Sequence, residues 1–232
     1  MQQSSGRHLT TPCHPDRRPV GTLRLTDRVP FIAAWSAETE AAQPEVTMRR
    51  GRLAYLHERP WDRDGDGILW RRMPSMPGKG KPLYGKVHFL RQRRAMAALL
   101  CQVCGRPAAK DATDDGLLWL LSEDPDDPGA WPADMVTGHP PVCLACAWLS
   151  VRACPHLRRQ YAAVRVRRCS LSGVHGVLYR PGHPAPVPHD VGGLDFGDGR
   201  MPWVQAAQLM MRLEEFRLVD LEAERRAHAE ER

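Results

Sequence analysis

Four of the seven cysteines form two pairs with the same internal spacing, Cys101 with Cys104 and Cys143 with Cys146. A gap of two residues lets both sulfur atoms of a pair face one ion, while the intervening amides donate hydrogen bonds to the thiolates. Two such pairs supply the four ligands of a closed tetrahedral Zn²⁺ site. The sequence therefore predicts a structural zinc centre, although the 38 residues between the pairs exceed the gap in compact zinc fingers.

Other uses of these cysteines explain less. They could be buried reduced thiols whose spacing is accidental. Disulfides are disfavoured because the amino terminus carries no secretion signal, so we expect a cytoplasmic protein whose thiols stay reduced. Iron–sulfur clusters also take four cysteines, but usually with a different run of spacings. Zinc accounts for both pairs with the fewest assumptions.

Cys154 and His156 pose a separate question. They follow Cys146 by eight and ten residues, more than two helical turns, so a continuous helix keeps both outside the tetrahedron. If Pro155 ends that helix, His156 could fold back and replace a cysteine. We favour Cys154 as a small core residue and His156 as a cap at the helix end.

Short elements are expected around the two cysteine pairs. Apolar residues over 88–100 are spaced as in an amphipathic helix that leads into the first pair. Residues 116–121 predict a buried strand, and residues 143–159 suit a second helix that begins with the second pair. Gly105 directly follows Cys104, at a point where a tight turn commonly needs positive φ.

This order of elements resembles the treble-clef zinc finger. In that fold a knuckle and a helix amino terminus each contribute two ligands, with a strand pair between them. The resemblance covers about residues 99–159 and implies Cys101, Cys104, Cys143 and Cys146 as ligands. The whole chain is also similar in spacing to actinobacterial-type proteins with two CxxC motifs. That resemblance fits a composition with 29 arginines, four lysines and no asparagine, and it implies no particular activity.

The chain is predicted to be α+β, with the treble-clef-like zinc domain at its centre, short β-hairpins and a carboxy-terminal amphipathic helix. Residues 1–45 lack sustained periodicity apart from an apolar patch at residues 29–35, and most of this segment is expected to be a flexible or weakly ordered extension. Met48, just after it, is a candidate natural start. Residues 46–200 would form the core, and residues 201–232 a helix with a charged tail.

Five further segments complete the local prediction. Residues 52–58 and 67–73 predict two strands joined by an Asp- and Gly-rich turn. Residues 162–180 alternate as in a hairpin that turns near Ser172 and Gly173. Residues 181–200 predict a loop, and residues 203–216 an amphipathic helix.

Positive charge is concentrated in two segments. Residues 48–100 hold thirteen basic side chains against four acids, and residues 149–180 hold seven arginines and no acid, whereas residues 105–148 are acidic. GC-rich codon usage explains part of the arginine excess, but a net charge of +6 still favours anionic partners. We therefore expect phosphate contacts to DNA or RNA, which add affinity without sequence specificity. The arginines expected to make them are Arg91, Arg93 and Arg94 on a helix and Arg165, Arg167 and Arg168 on a strand.

Three function classes follow. The first is a non-enzymatic zinc protein that binds nucleic acid through an arginine-rich face, in a regulatory or mobile-element setting. The second is a protein-interaction adaptor whose zinc domain is a scaffold and whose helix at residues 203–216 docks a protein partner. The third is a metal-dependent nuclease using His139 and Asp134, which the lack of asparagine disfavours.

Other chemistry is not indicated. No serine or cysteine lies in a nucleophile motif, and no glycine-rich phosphate motif occurs, so no catalytic or cofactor-binding residue is assigned beyond the zinc ligands. Apolar runs such as residues 96–101 and 117–121 fall far short of the roughly 20 residues that cross a bilayer. No membrane partner is expected.

Overall fold

The computed structural model describes residues 29–39, 43–121, 135–158 and 161–230. Strands and three α-helices occur together in these ranges, as the α+β prediction requires. No helix there is long and apolar enough to cross a membrane. The helices are α1 (Phe89–Ala97), α2 (Leu144–Ala153) and α3 (Leu221–Glu230). The strands are β1 (Ala33–Trp35), β2 (Val46–Arg49), β3 (Arg52–Tyr55), β4 (Leu69–Trp70), β5 (Pro82–Val87), β6 (Leu117–Leu121), β7 (Met135–Thr137), β8 (Ala162–Arg180), β9 (Val187–Asp195) and β10 (Val204–Leu218).

Two long antiparallel strands form the centre of a six-stranded sheet. β8 and β10 pair from Val204 opposite Leu178 to Leu218 opposite Val164. β6 and β9 pair with the other edge of β8, near its start and its end respectively. β4 and β7 pair with the other edge of β10, and β4 runs parallel to it.

The hairpin predicted for residues 162–180 is wrong, because these residues form the single 19-residue strand β8. The glycines explain the error. A Cβ added to Gly173 would lie 2.0 Å from the Leu194 carbonyl oxygen, and one on Gly176 would lie 2.3 Å from that of Gln205. These glycines therefore allow a close approach of neighbouring strands rather than a turn.

The helix predicted for residues 203–216 is also wrong, because this segment lies almost wholly in β10. Two irregularities in the pairing with β8, at Ala206/Gln208 and at Met210/Met211, interrupt the alternation of buried side chains. Where the two-residue alternation of a strand is interrupted, some apolar residues lie three or four positions apart. This is the spacing expected of an amphipathic helix. The predicted loop at residues 181–200 likewise contains β9.

The amino-terminal half forms two small sheets. β2 pairs with β3, and β1 pairs with β5. The strands predicted within residues 52–58 and 67–73 exist as β3 and β4, but β4 joins β10 instead of β3. Of the expected extension, residues 1–28 and 40–42 lie outside the described residues, whereas Ala33 and Ala34 of β1 are buried. That described part is therefore folded.

The buried side chains of β6 divide between two cores. Trp119 and Leu121 pack into the main core of the large sheet. Leu118 and Leu120 point the other way, as alternation in a strand requires, and pack into a second core that contains the four paired cysteines. β6 therefore joins the cysteine cluster to the sheet.

Helix α1, predicted within residues 88–100, docks on β10. The ring of His88 accepts a hydrogen bond from the Arg91 amide and caps the helix. Gln92 donates to the Leu209 carbonyl at 2.9 Å and accepts from the Leu209 amide at 3.0 Å. This buried side chain fixes where the helix crosses the strand.

Candidate metal centre

The first cysteine pair lies in a tight knuckle. The Gly105 amide donates to the Cys101 carbonyl at 2.8 Å, and the Cys101 amide donates to the Arg106 carbonyl at 2.8 Å. Gly105 has φ +70°, as predicted, and a Cβ there would lie 2.9 Å from the ring of Phe31. Glycine is therefore required both by the turn and by the ring packed over it.

The second pair lies at the amino terminus of α2. Cys143 is the N-cap, and Cys146 lies in the first turn. The Leu144 amide donates to the carboxylate of Asp111 at 3.0 Å, which holds the helix start in place. The positive end of the helix dipole favours negatively charged sulfur at both cysteines.

The four sulfur atoms meet in one cluster. All lie within 4.8 Å of one another, and Sγ of Cys104 lies 3.8 Å from Sγ of Cys143. A tetrahedral zinc ion with Zn–S bonds of about 2.3 Å places its sulfur ligands about 3.8 Å apart. Within the described ranges this is the only such group of three or more His, Cys, Asp or Glu residues. The four cysteines predicted as ligands therefore form a group that can bind a metal ion.

Hydrogen bonds among the four cysteines shift the pKa values of their thiols in opposite directions. Hydrogen bonds from Cys101, Cys143 and Cys146 lower the pKa of Cys104. Hydrogen bonding to Cys101 and Cys104 raises the pKa of Cys146, so the four thiols do not ionise together without a cation. The hydrogen bond to Cys104 also raises the pKa of Arg106, whose positive charge lies beside the half-buried ligand.

The knuckle and the helix terminus match the two ligand-bearing parts of a treble clef. The segment between them differs from the expected strand pair. β6 pairs with β8, and β7 pairs with β10, so both strands join the large sheet rather than each other. Residues 122–134 of this segment lie outside the described part of the chain.

Cys154 and His156 are not part of the cluster. Helix α2 ends at Ala153, so Cys154 is its C-cap and is half-buried, and His156 is exposed. Both residues therefore lie outside the cluster, as expected, but the C-cap is Cys154 instead of His156, and Cys154 is half-buried instead of a core residue. Of the nuclease pair, Asp134 lies outside the described residues, and the backbone carbonyl of His139 accepts a hydrogen bond from the Trp119 indole.

Three of the six arginines expected to contact nucleic acid are held inside the fold. Arg91 binds both carboxylate oxygens of Glu38, at 2.8 Å each. The guanidinium of Arg93 lies 3.6 Å from the ring centroid of Trp70. Arg165 is buried and binds the carboxylate of Glu224 at 2.6 Å.

The other three are exposed, and two of them have acidic partners. Arg167 pairs with Asp115 at 2.8 Å, and Arg168 pairs with Glu215 at 3.0 Å. Arg94 is exposed on α1. Helix α1, which carries Arg94, crosses β10 at Leu209. The arginines of β8 instead lie opposite the last residues of β10, from Glu214 onward, so the two groups of arginines lie beside different parts of this strand.

A groove beside the metal centre was missed by sequence reasoning. It has a volume of about 700 Å³, and Cys143 forms part of its wall. We call it the basic groove and define it by Arg106, Lys110, Trp148, Arg225 and His228. Arg225 stacks over the Trp148 ring at 4.6 Å.

No ion pair joins Lys110 or Arg225 to a carboxylate anywhere in the described ranges. The carboxylate of Asp111, also at the groove, is bound by the Leu144 amide. The only indication of this groove in the sequence was Lys110, because the chain has only four lysines. Arg225 could not have been found, because the helix that carries it was placed in the wrong segment.

No protein-family model, curated protein or solved structure matches this chain. Its function is therefore argued from its own residues.

Proposed function

We propose that this chain is a non-enzymatic zinc protein that binds nucleic acid, with Zn²⁺ held in a treble-clef-like unit. The donor set supports zinc: four thiolates arranged as a tetrahedron suit Zn²⁺ or an iron–sulfur centre, and the paired two-residue spacing favours zinc. Four protein ligands leave no open coordination position for water or substrate, which is typical of a structural site. The ligands are Cys101, Cys104, Cys143 and Cys146.

The basic groove carries the nucleic-acid proposal. Its volume of about 700 Å³ lies within the roughly 300–1,000 Å³ of ligand sites, and the cations of Lys110 and Arg225 have no carboxylate partner among the described residues. Such cations bind phosphate by releasing the counterions condensed on the nucleic acid. Trp148 adds an aromatic side chain to the positive groove, a combination typical of proteins that bind single strands. Arg94, exposed on α1, remains a candidate for an additional phosphate contact.

The two other function classes have less support. The adaptor proposal assigned its docking surface to a helix at residues 203–216, and that segment is a strand whose apolar side chains lie in the main core. The nuclease proposal requires a metal ion with a free coordination position, and a centre closed by four cysteines offers none.

Binding of a labelled single strand of about 20 nucleotides, followed by fluorescence anisotropy at 50 and 200 mM salt, tests the proposal. We expect measurable binding at low salt that weakens steeply as salt increases. Lys110→Gln and Arg225→Gln should each weaken binding and reduce the slope of log K against log salt by about one. Arg226→Gln changes an exposed neighbour outside the groove and is the matched control.

Absence of binding at 50 mM salt would remove the nucleic-acid proposal. Equal losses from Arg225→Gln and Arg226→Gln would show that charge alone, and not the groove, determines binding.

A further inference from the structure

A second cavity, of about 250 Å³, lies where the start of α1 faces β10. Its wall includes Arg71, Lys86, Phe89 and Gln208. We call it the α1 cavity. It shares no lining residue with the basic groove or the metal centre, so its chemistry can be considered independently of the proposed function.

Two ion pairs at this cavity are already neutral. Glu38 accepts hydrogen bonds from Arg91 at both carboxylate oxygens, and also from the backbone amides of Trp35 and Met76. Arg72 binds the buried carboxylate of Asp62 at 2.6 Å. Neither carboxylate is left to neutralise another cation.

Two further cations remain at the wall. The Nε atom of Arg71 is buried and has no hydrogen-bond partner among the described residues. Its guanidinium carbon lies 5.6 Å from the ring centroid of Phe89. This cation–π contact does not provide a hydrogen-bond acceptor for the Nε–H group. Lys86 is exposed on β5, and no ion pair to it is found in the described ranges. A buried donor without a partner costs about 1–3 kcal/mol, so native proteins rarely retain one without a use.

The amino terminus of α1 adds positive potential at the same place. Phe89 is the first residue of this nine-residue helix. The first amides of a helix lack intrahelical acceptors, and the helix dipole places partial positive charge there. Anions bind readily at such an end when other donors converge on it. The side chains of Arg71 and Lys86 line the same cavity as this helix start.

We propose that the α1 cavity binds a small, doubly charged oxyanion: a phosphate group, free or carried by a small phosphomonoester. Two cations that have no carboxylate partner among the described residues, together with a helix terminus, match a dianion, and the side chains of Arg71 and Lys86 at the wall supply its donors. The cavity, with a volume of about 250 Å³, has room for a phosphate group.

Calorimetric titration of the zinc-loaded full chain with inorganic phosphate tests this site. We expect saturable binding of one phosphate at the cavity, and Lys86→Gln should weaken it by about tenfold or more, as the loss of a charge-assisted hydrogen bond predicts. Arg71→Gln should do the same. Lys81→Gln, an exposed lysine just before the same strand and outside the cavity, should change the affinity less than about twofold.

Two additional ligands identify the chemistry. Acetate at the same concentration should bind at least about tenfold more weakly than phosphate, because it offers one charge and two oxygens. Glycerol phosphate binding more tightly than inorganic phosphate would identify a phosphomonoester as the ligand, and the reverse order would identify the free ion.

Three results would overturn the proposal: no saturable heat with phosphate up to about 10 mM, unchanged affinity in Lys86→Gln, or equal binding of acetate. Loss of phosphate binding in Arg225→Gln but not in Lys86→Gln would assign the phosphate to the basic groove instead. Because Lys86 is exposed, its variant gives a decisive result even if Arg71→Gln fails to fold.

Discussion

Cys104 is partly exposed to solvent, whereas Cys101, Cys143 and Cys146 are buried. Each pair is positioned by local backbone geometry, a knuckle in one case and a helix start in the other. That geometry is encoded within a few residues, so spacing alone identified the four cysteines that form the cluster. The arginines were harder to interpret, because an arginine beside a distant carboxylate looks the same in sequence as one that faces solvent. Glu38 precedes Arg91 by 53 residues.

Replacing one ligand should remove the metal. We expect Cys146→Ser to lower the zinc content well below one ion per chain and to unfold the second core, since a structural zinc ion contributes on the order of 10 kcal/mol in small peptides. Elemental analysis and thermal unfolding measure both effects. Cys154→Ser, which changes a half-buried cysteine at the other end of the same helix, should keep its zinc. Full zinc content in Cys146→Ser would contradict the ligand assignment.

Arg91 should be essential for stability rather than for binding. Arg91→Ala leaves the buried Glu38 carboxylate without its cation and should cost about 3–5 kcal/mol. Arg94→Ala, three residues along the same helix and exposed, should change the free energy of unfolding by less than about 0.5 kcal/mol. Urea unfolding compares the two. Similar costs would show that the Glu38 ion pair is not a main contributor.

The same ion pair predicts a loss of stability in acid. Burial alone would raise the pKa of Glu38, but hydrogen bonds from Arg91, Trp35 and Met76 lower it to about 2. A carboxyl with a lower pKa in the folded state stabilises the fold above its unfolded pKa, near 4.5, and this contribution disappears as pH falls toward 2. About 3 kcal/mol should be lost across this window.

The measurement compares the free energy of unfolding of the wild type and Glu38→Gln from pH 6 to pH 2, where other carboxyls titrate in both proteins. The difference between the two should shrink as pH falls. A constant difference would mean that Glu38 does not titrate in this window.

At the scale of elements, the secondary structure was predicted correctly where the spacing of apolar residues is regular, and wrongly where that spacing is interrupted. The helices α1 and α2 and the strand β6 lie within the segments that their patterns predicted, although α2 ends at Ala153 and not near residue 159. In β8, Gly173 and Gly176 resemble turn residues until the neighbouring strands are known. In β10, irregular pairing at Ala206/Gln208 and Met210/Met211 produces a helical spacing. Both misleading signals arise from partners distant in sequence.

The close approach at β8 can be tested with a single methyl group. Gly176→Ala places a Cβ 2.3 Å from a backbone oxygen of β10 and should destabilise the protein by more than about 2 kcal/mol, since backbone must move. Gly192→Ala, on the paired strand β9 with nothing within 4 Å, should change stability by less than about 1 kcal/mol. Equal unfolding midpoints for the two variants would show that the strands separate without cost.

For the whole molecule, the metal centre joins parts of the chain that are far apart in sequence. The amides of Phe31 and Ile32 donate to knuckle carbonyls, at 2.9 and 3.2 Å. Leu221 of α3 is buried in the second core, and Glu224 binds Arg165 of the sheet. Removal of the metal should therefore affect both ends of the described chain.

Chelation followed by hydrogen exchange measures that effect. We expect amides of the knuckle, of α2 and α3, and of residues 31–32 to lose protection together, because they share the second core. Amides at the centre of the β8–β10 pair should remain protected, since the main core packs against them. Uniform loss of protection would indicate one cooperative unit, and no loss would contradict a structural role for the metal.

The segment from Phe31 to Glu38 lies ahead of Met48, a methionine at which a ribosome could also initiate. A polypeptide synthesised from that codon would lack β1 and the acid that neutralises Arg91. β5 would then have no partner strand, and its open edge would invite association with other chains. The described contacts of α1 and of the knuckle thus include residues that lie ahead of Met48.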